Sequence, residues 1–127
     1  MPIEVHIDHA RRLVCAHVRG VMADDETFDY QRRIWSDPAV ADYDELVDMT
    51  EVVEIALPSA ARARELAALA ASMDVPGLRR KMAIIAPQDE AFGLGRMFEM
   101  MREMQPGSRR KVGVFRTTEE AMAFLGR

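Results

Sequence analysis

The sequence predicts an α/β fold, a five-stranded, mostly parallel sheet with an N-terminal antiparallel hairpin and four helices in the order β-β-α-β-α-β-α-β-α. Three observations predict it. Two segments near the start alternate apolar and polar residues, as half-buried strands do. After Gly20 the apolar spacing changes to that of a helix, and helical and strand-like stretches then take turns to the end. The connections between them span only a few residues, which favours right-handed crossovers to a neighbouring strand.

Residues 3–8 (IEVHID) and 12–19 (RLVCAHVR) form the hairpin, joined by the polar stretch His9 to Arg11. With Ile7 opposite Val14, the residues Ile3, Val5, Val14, Ala16 and Val18 share one side, and Glu4, His6, Cys15 and His17 the other. Asp24 or Asp25 is placed to cap a helix running to about Trp35, with Phe28, Gln31, Ile34 and Trp35 on its apolar side and Ser36-Asp37-Pro38 to close it. Residues 45–49 (ELVDM) read as a short strand. Pro58-Ser59 opens an alanine-rich helix to about Met73, with Leu66, Leu69 and Met73 as its stripe. Residues 81–86 (KMAIIA) are apolar on both faces, which suits a central strand covered on both sides. Asp89 begins a helix that reaches about Met104 and stops at Pro106-Gly107. Residues 111–116 (KVGVFR) form the last strand, and Thr117 or Thr118 caps a short helix ending at Gly126.

At 127 residues the chain has the size of one domain, and we expect a single unit over 1–127. Apolar residues make up 49% and charged residues 30%, the balance of a folded globular protein. A net charge of -4, with no basic run longer than Arg109-Arg110-Lys111, lacks the footprint of phosphate-backbone binding, so no nucleic acid partner is expected. The first residues show no signal-peptide pattern, and no stretch has the apolar length of a membrane span. Cys15 is the only cysteine and reads as a packed strand thiol, so a reducing cytoplasm is the expected setting.

With that order in place, four strings resemble the bacterial SpoIIAA-like family, whose fold is shared with STAS domains and compared with SEC14-type lipid-binding domains. They are AHVRGVM, DPAVADYDELVDMTEV, AIIAPQDEAFGLGRMFEM and VFRTTEEAMAFL, and together they spread along nearly the whole chain. The resemblance implies the α/β fold and a non-enzymatic partner-binding module of STAS-like type. The SEC14 comparison implies, as an alternative, a carrier of a small apolar or amphipathic ligand. Relatives in sporulation control carry a phosphorylated Ser or Thr after the third strand, which points to Thr50 or Ser59 here. This chain lacks their Asp-Ser-Ser-Gly type string, so the resemblance carries the fold further than the switch.

In open α/β sheets, ligands bind beyond the carboxyl ends of the parallel strands. The candidates for such a crevice are Asp48, Thr50, Ser59, Arg62, Asp89, Gly93 and Arg116. Arg62 falls inside the apolar arc of its helix near the helix start, where it could bind an anionic group, or form an ion pair with Asp48. An enzyme would need a pocket uniting Asp48, Arg62 and Asp89. No triad order, P-loop or dinucleotide fingerprint is present, so no catalytic residue and no cofactor is expected. Gly93 and Gly95 read as sites of close helix packing. His6, Cys15 and His17 share a face by strand alternation alone, and no metal is expected there. The helix from Asp89 spreads Leu94, Met97, Phe98, Met100, Met101 and Met104 over an arc of roughly 160°. That exceeds one packing stripe, and Met100 and Met104 on its margin should be partly exposed. A homodimer through this face is the simplest way to cover them.

Overall fold

A computed structural model describes residues 3–57 and 59–127, so Pro58, expected to open the second helix, lies outside the described residues. The hairpin pairs β1 (Ile3–Asp8) with β2 (Leu13–Ala23), antiparallel. Its register sets Ile3 against Val18, Val5 against Ala16 and Ile7 against Val14, as the alternation predicts. The turn is closed by Arg12 at φ 54, a left-handed conformation that costs a side chain about 1 kcal/mol or more. Three parallel strands follow, β3 (Asp44–Ala56), β4 (Lys81–Ile85) and β5 (Lys111–Phe115), and the sheet order is β1-β2-β3-β4-β5. The middle strand is therefore β3, and β4, expected at the centre, lies between it and the edge strand β5.

The strand order never reverses. Successive right-handed crossovers that always step the same way place their helices on one face. Accordingly α1 (Asp24–Trp35), α2 (Ala60–Ser72) and α3 (Asp89–Glu103) share one side of the sheet, over a core that includes Val14, Ala16, Val18, Ile34, Trp35, Met82, Ile84 and Val114. Helix α4 (Thr118–Phe124) alone covers the other side, where Ala121 and Leu125 meet Leu13, Ala83 and Ile85. Thr117 caps α4, its hydroxyl accepting from the Glu120 backbone N–H at 3.2 Å and donating to the Glu120 carboxylate at 3.0 Å.

Two strands run beyond their expected ends. β2 continues from Arg19 to Ala23 and β3 from Thr50 to Ala56, and the two pair with each other past the point where β4 stops. Register shifts occur between His17 and Arg19 and between Gly20 and Val21, with Gly20 at φ 65. Each slip breaks the period-two pattern, so the extension reads as loop in the sequence.

Helix details also differ. The N-cap of α1 is Ala23, with no side-chain cap bond; Asp24 and Asp25 sit inside the first turn, where they complement the helix dipole. Tyr30, not Gln31, belongs to its buried side. In α2 the buried stripe is Ala63, Leu66, Ala67, Ala70 and Ala71, while Leu69 and Met73 are half-buried. In α3 the buried positions are Ala91, Gly95 and Arg102, with the methionines to one side.

Candidate functional site

At the carboxyl ends of the strands the expected crevice residues form three separate local networks. The Asp48 carboxylate accepts from the Thr50 backbone N–H at 2.9 Å and from its hydroxyl, and Gln88 donates to the Thr50 carbonyl at 2.8 Å. Arg116 donates to Asp89 at 2.6 Å and to the Pro87 carbonyl, and its guanidinium lies 4.1 Å from the Phe92 ring centre. Arg62 pairs with Asp24 at 2.9 Å and Glu65 at 2.8 Å, and stacks over Phe28 at 3.8 Å. Its partner is thus Asp24, not Asp48. The two acids' hydrogen bonds raise its pKa further above the ordinary arginine value. Among the described residues, no hydrogen bond or ion pair joins any two of Asp48, Arg62 and Asp89. Asp48 points to the α4 side of the sheet, opposite Val47 and Met49, which explains why it does not meet Arg62 in α2. Ser59 caps α2, its hydroxyl accepting from the Arg62 N–H at 3.2 Å.

Between the sheet and the α1–α3 layer lies a cavity of about 80 Å³. Its walls are apolar over most of their extent, with Ile3, Val18, Met49, Leu66, Met82 and Phe98 among them. A water-sized group needs roughly 10–15 Å³ of such space, so there is room for a body of roughly five to eight heavy atoms. Small residues from three elements lie on its walls, Ala16 from β2, Ala63 from α2 and Gly95 from α3. At Gly95 α3 also lies directly against the sheet, since a Cβ there would stand 2.9 Å from a Val114 methyl. Gly93 is different, with nothing within 4 Å of a Cβ, so its expected packing role is not found. Toward the surface a groove is lined by Ile55, Leu57, Ser59, Ala63, Leu94 and Met97. Leu57, Ala63 and Leu94 line both spaces, so the two adjoin there.

The amino ends of the parallel strands hold a feature the sequence did not suggest. Arg80, Arg102 and Arg110 are buried there with Glu45 and Asp74. Asp74 binds Arg102 at 2.5 Å and the backbone N–H groups of Arg109 and Arg110 at 2.7 and 3.0 Å. Burial pushes its carboxyl up, but Arg102 and those N–H groups outweigh it and hold it below the ordinary value. Arg80 donates to the Ala41 carbonyl, and Arg110 to that of Tyr43 while lying 4.1 Å from the Trp35 ring centre. Glu45 accepts from the Tyr30 hydroxyl at 2.8 Å and the Trp35 indole at 3.3 Å. Burial first, and the Glu45 carboxylate second, raise the Tyr30 phenol well above its usual value, so it stays a donor.

On the α4 side of the hairpin, Cys15 lies beside His6, and His17 beside Glu4, in the expected register. His17 Nε2 lies 2.7 Å from Glu51. Burial raises the Cys15 thiol, which leaves it protonated and unreactive at neutral pH. Among the described residues, no group of three or more His, Cys, Asp or Glu side chains could hold a metal ion. Met100 is 60% and Met104 78% exposed, as the width of the apolar arc implied, while Met97 and Met101 are half-buried. Among the described residues, no helix is long and apolar enough to cross a membrane.

No protein-family model matches the chain, and no curated protein matches it in sequence. In three dimensions it is similar to the crystal structure of an uncharacterised protein of the DUF3478 family with a SpoIIAA-like fold from Shewanella loihica PV-4. The likeness has a TM-score of 0.58 at 14% identity and covers 97% of this chain and 91% of that one. The fold is therefore SpoIIAA-like, as the four sequence strings implied.

Proposed function

We propose that this chain is a non-enzymatic binding module that holds a small apolar or amphipathic ligand between its sheet and the α1–α3 layer. The apolar cavity of about 80 Å³, which adjoins the outer groove at Leu57, Ala63 and Leu94, carries this reading. Interiors normally pack to crystal-like density, and the few voids that remain are small. An apolar space of this size costs stability when empty and regains it when filled. Mass spectrometry of natively purified protein is the test. A co-purifying apolar compound is expected in the parent and not in Ala63→Leu, whose larger side chain takes up part of the cavity. A parent that carries and takes up no apolar compound, or a folded Ala63→Leu that binds as the parent does, overturns the reading.

A second reading, a partner-binding module of STAS-like type, draws on the exposure of Met100 and Met104 at one margin of α3. Unbranched thioether side chains adapt to a partner surface, and a second copy of this chain is the occupant proposed. Met100→Glu with Met104→Lys is expected to stay folded by circular dichroism and to sediment as a monomer where the parent dimerises. A parent that is monomeric at millimolar concentration removes the dimer.

A further inference from the structure

The wall of the cavity holds one ionised group whose surroundings leave it incompletely satisfied. Glu45 is 3% exposed, and its two carboxylate oxygens are treated unequally. Oε2 accepts from both the Tyr30 hydroxyl and the Trp35 indole. Oε1 forms an ion pair with Arg110 Nη1 at 3.7 Å, a distance beyond hydrogen-bond range. Carboxylate oxygens in protein interiors are normally paired with protein or water, and Oε1 has room to accept a further donor. Glu45 and Tyr30 both line the cavity, so a donor arriving through it could reach the carboxylate.

From this geometry we infer that the ligand is amphipathic and carries a neutral hydrogen-bond donor, a hydroxyl of alcohol or phenol type, which it gives to Glu45 Oε1 while its apolar body fills the cavity. This deepens the proposed function and rests on it. The charge of the ligand follows from the neighbours. Arg80, Arg102 and Arg110 face only Glu45 and Asp74, so the buried cluster already has one positive charge in surplus. An ammonium group would add a second beside it, without water to screen either. A carboxylate would bring a second acceptor against Oε1, with no proton to share at neutral pH. A neutral hydroxyl has neither fault. The other polar groups on the wall are already engaged, with Thr27 donating to the Ala23 carbonyl at 2.8 Å and Gln31 directed to the Met73 sulfur at 3.7 Å.

The test compares toluene with phenol, which match in shape and number of heavy atoms and differ in one donor, and adds benzylammonium as the cation. Affinities are measured by calorimetry on the intact chain. Phenol loses more on leaving water than toluene does, so without a partner in the cavity it binds more weakly. With Glu45 Oε1 as partner, phenol is expected to bind at least tenfold tighter than toluene, since a hydrogen bond to a charged group contributes about 1.5–3 kcal/mol. Benzylammonium is expected to bind more weakly than phenol. The resonance of the Trp35 indole N–H, from the single tryptophan of the chain, should move with phenol and much less with toluene. Toluene binding as tightly as phenol overturns the donor assignment while leaving the cavity reading intact; a water already seated on Oε1 would produce that result. Benzylammonium binding as tightly as phenol overturns the assignment of a neutral donor. If neither toluene nor phenol binds, the cavity reading and this inference fall together. No substitution at Glu45 is needed, which matters because Glu45→Gln deprives Arg110 of a counterion and endangers the fold.

Discussion

At the amino ends of the parallel strands the charged side chains are buried and interlocked, whereas at the carboxyl ends they lie near or in water in separate small networks. Asp74, Arg80, Arg102 and Arg110 are each no more than 5% exposed in their side chains, while Asp89 is 94% and Arg116 45% exposed. Helix dipoles favour part of this arrangement, with Arg102 in the last turn of α3 at the first region and Asp24, Asp89 and Glu90 in the first turns of α1 and α3 at the other. Loop geometry accounts for the burial. The segments 74–80 and 104–110 are mostly exposed, but Arg80 and Arg110 at their ends turn inward beside Asp74, which accepts from the Arg109 and Arg110 backbone N–H groups. Charge of a given kind can therefore be structural at one end of a sheet and merely solvated at the other.

Asp74→Ala should produce the largest contrast, because it leaves guanidiniums and backbone donors buried without their acceptor. A loss of about 3–5 kcal/mol in urea unfolding is expected, against less than about 1 kcal/mol for Asp89→Ala, whose partner is exposed. Equal losses would erase the distinction between the two ends. The same carboxylate gives a pH signature. Its folded pKa lies below the ordinary 3.8, so its stabilisation is complete above that value and is lost as pH falls below it. The parent should therefore lose more stability than Asp74→Ala between pH 5 and pH 2, a range set by that carboxyl value.

Glycines on α3 sharpen the comparison at the next level. Gly95→Ala would bring a Cβ to 2.9 Å from Val114 Cγ1 and should destabilise by about 1 kcal/mol or more despite better helix propensity. Gly93→Ala meets nothing within 4 Å and should stabilise by about 0.5–1 kcal/mol. Thermal midpoints that move the same way for both would mean that α3 does not sit as close to the sheet as described.

The smallest effect is expected from Arg62→Met, which keeps the stem over Phe28 but removes the pairs with Asp24 and Glu65. The side chain is 30% exposed, so the smallest change of the series is expected in the same unfolding measurement. A loss as large as that of Asp74→Ala would place this network with the buried cluster and not with the solvated end.

Element order, hairpin register and a threonine cap at Thr117 or Thr118, found at Thr117, were legible because each depends on residues within a few positions of one another. Periodicity and capping are local physics, and the chain shows them without a partner. The exposed margin of α3 was legible for the same reason, since an arc wider than one packing surface must leave part of itself uncovered. The strand extensions were hidden by bulges that shift the alternation at Arg19 and Val21. The cavity and the arginine cluster were hidden more deeply. Ala16, Ala63 and Gly95 lie on three elements, and Glu45, Asp74, Arg80, Arg102 and Arg110 are scattered over half the chain. An alanine read alone is a good helix or strand filler, and an arginine read alone belongs to the surface. Only the register of β2 against β3 and the placement of three helices on one face bring the small residues to the walls of one space. The buried guanidiniums find their acceptors in Asp74 and in the Ala41 and Tyr43 carbonyls, which only the tertiary structure brings beside them.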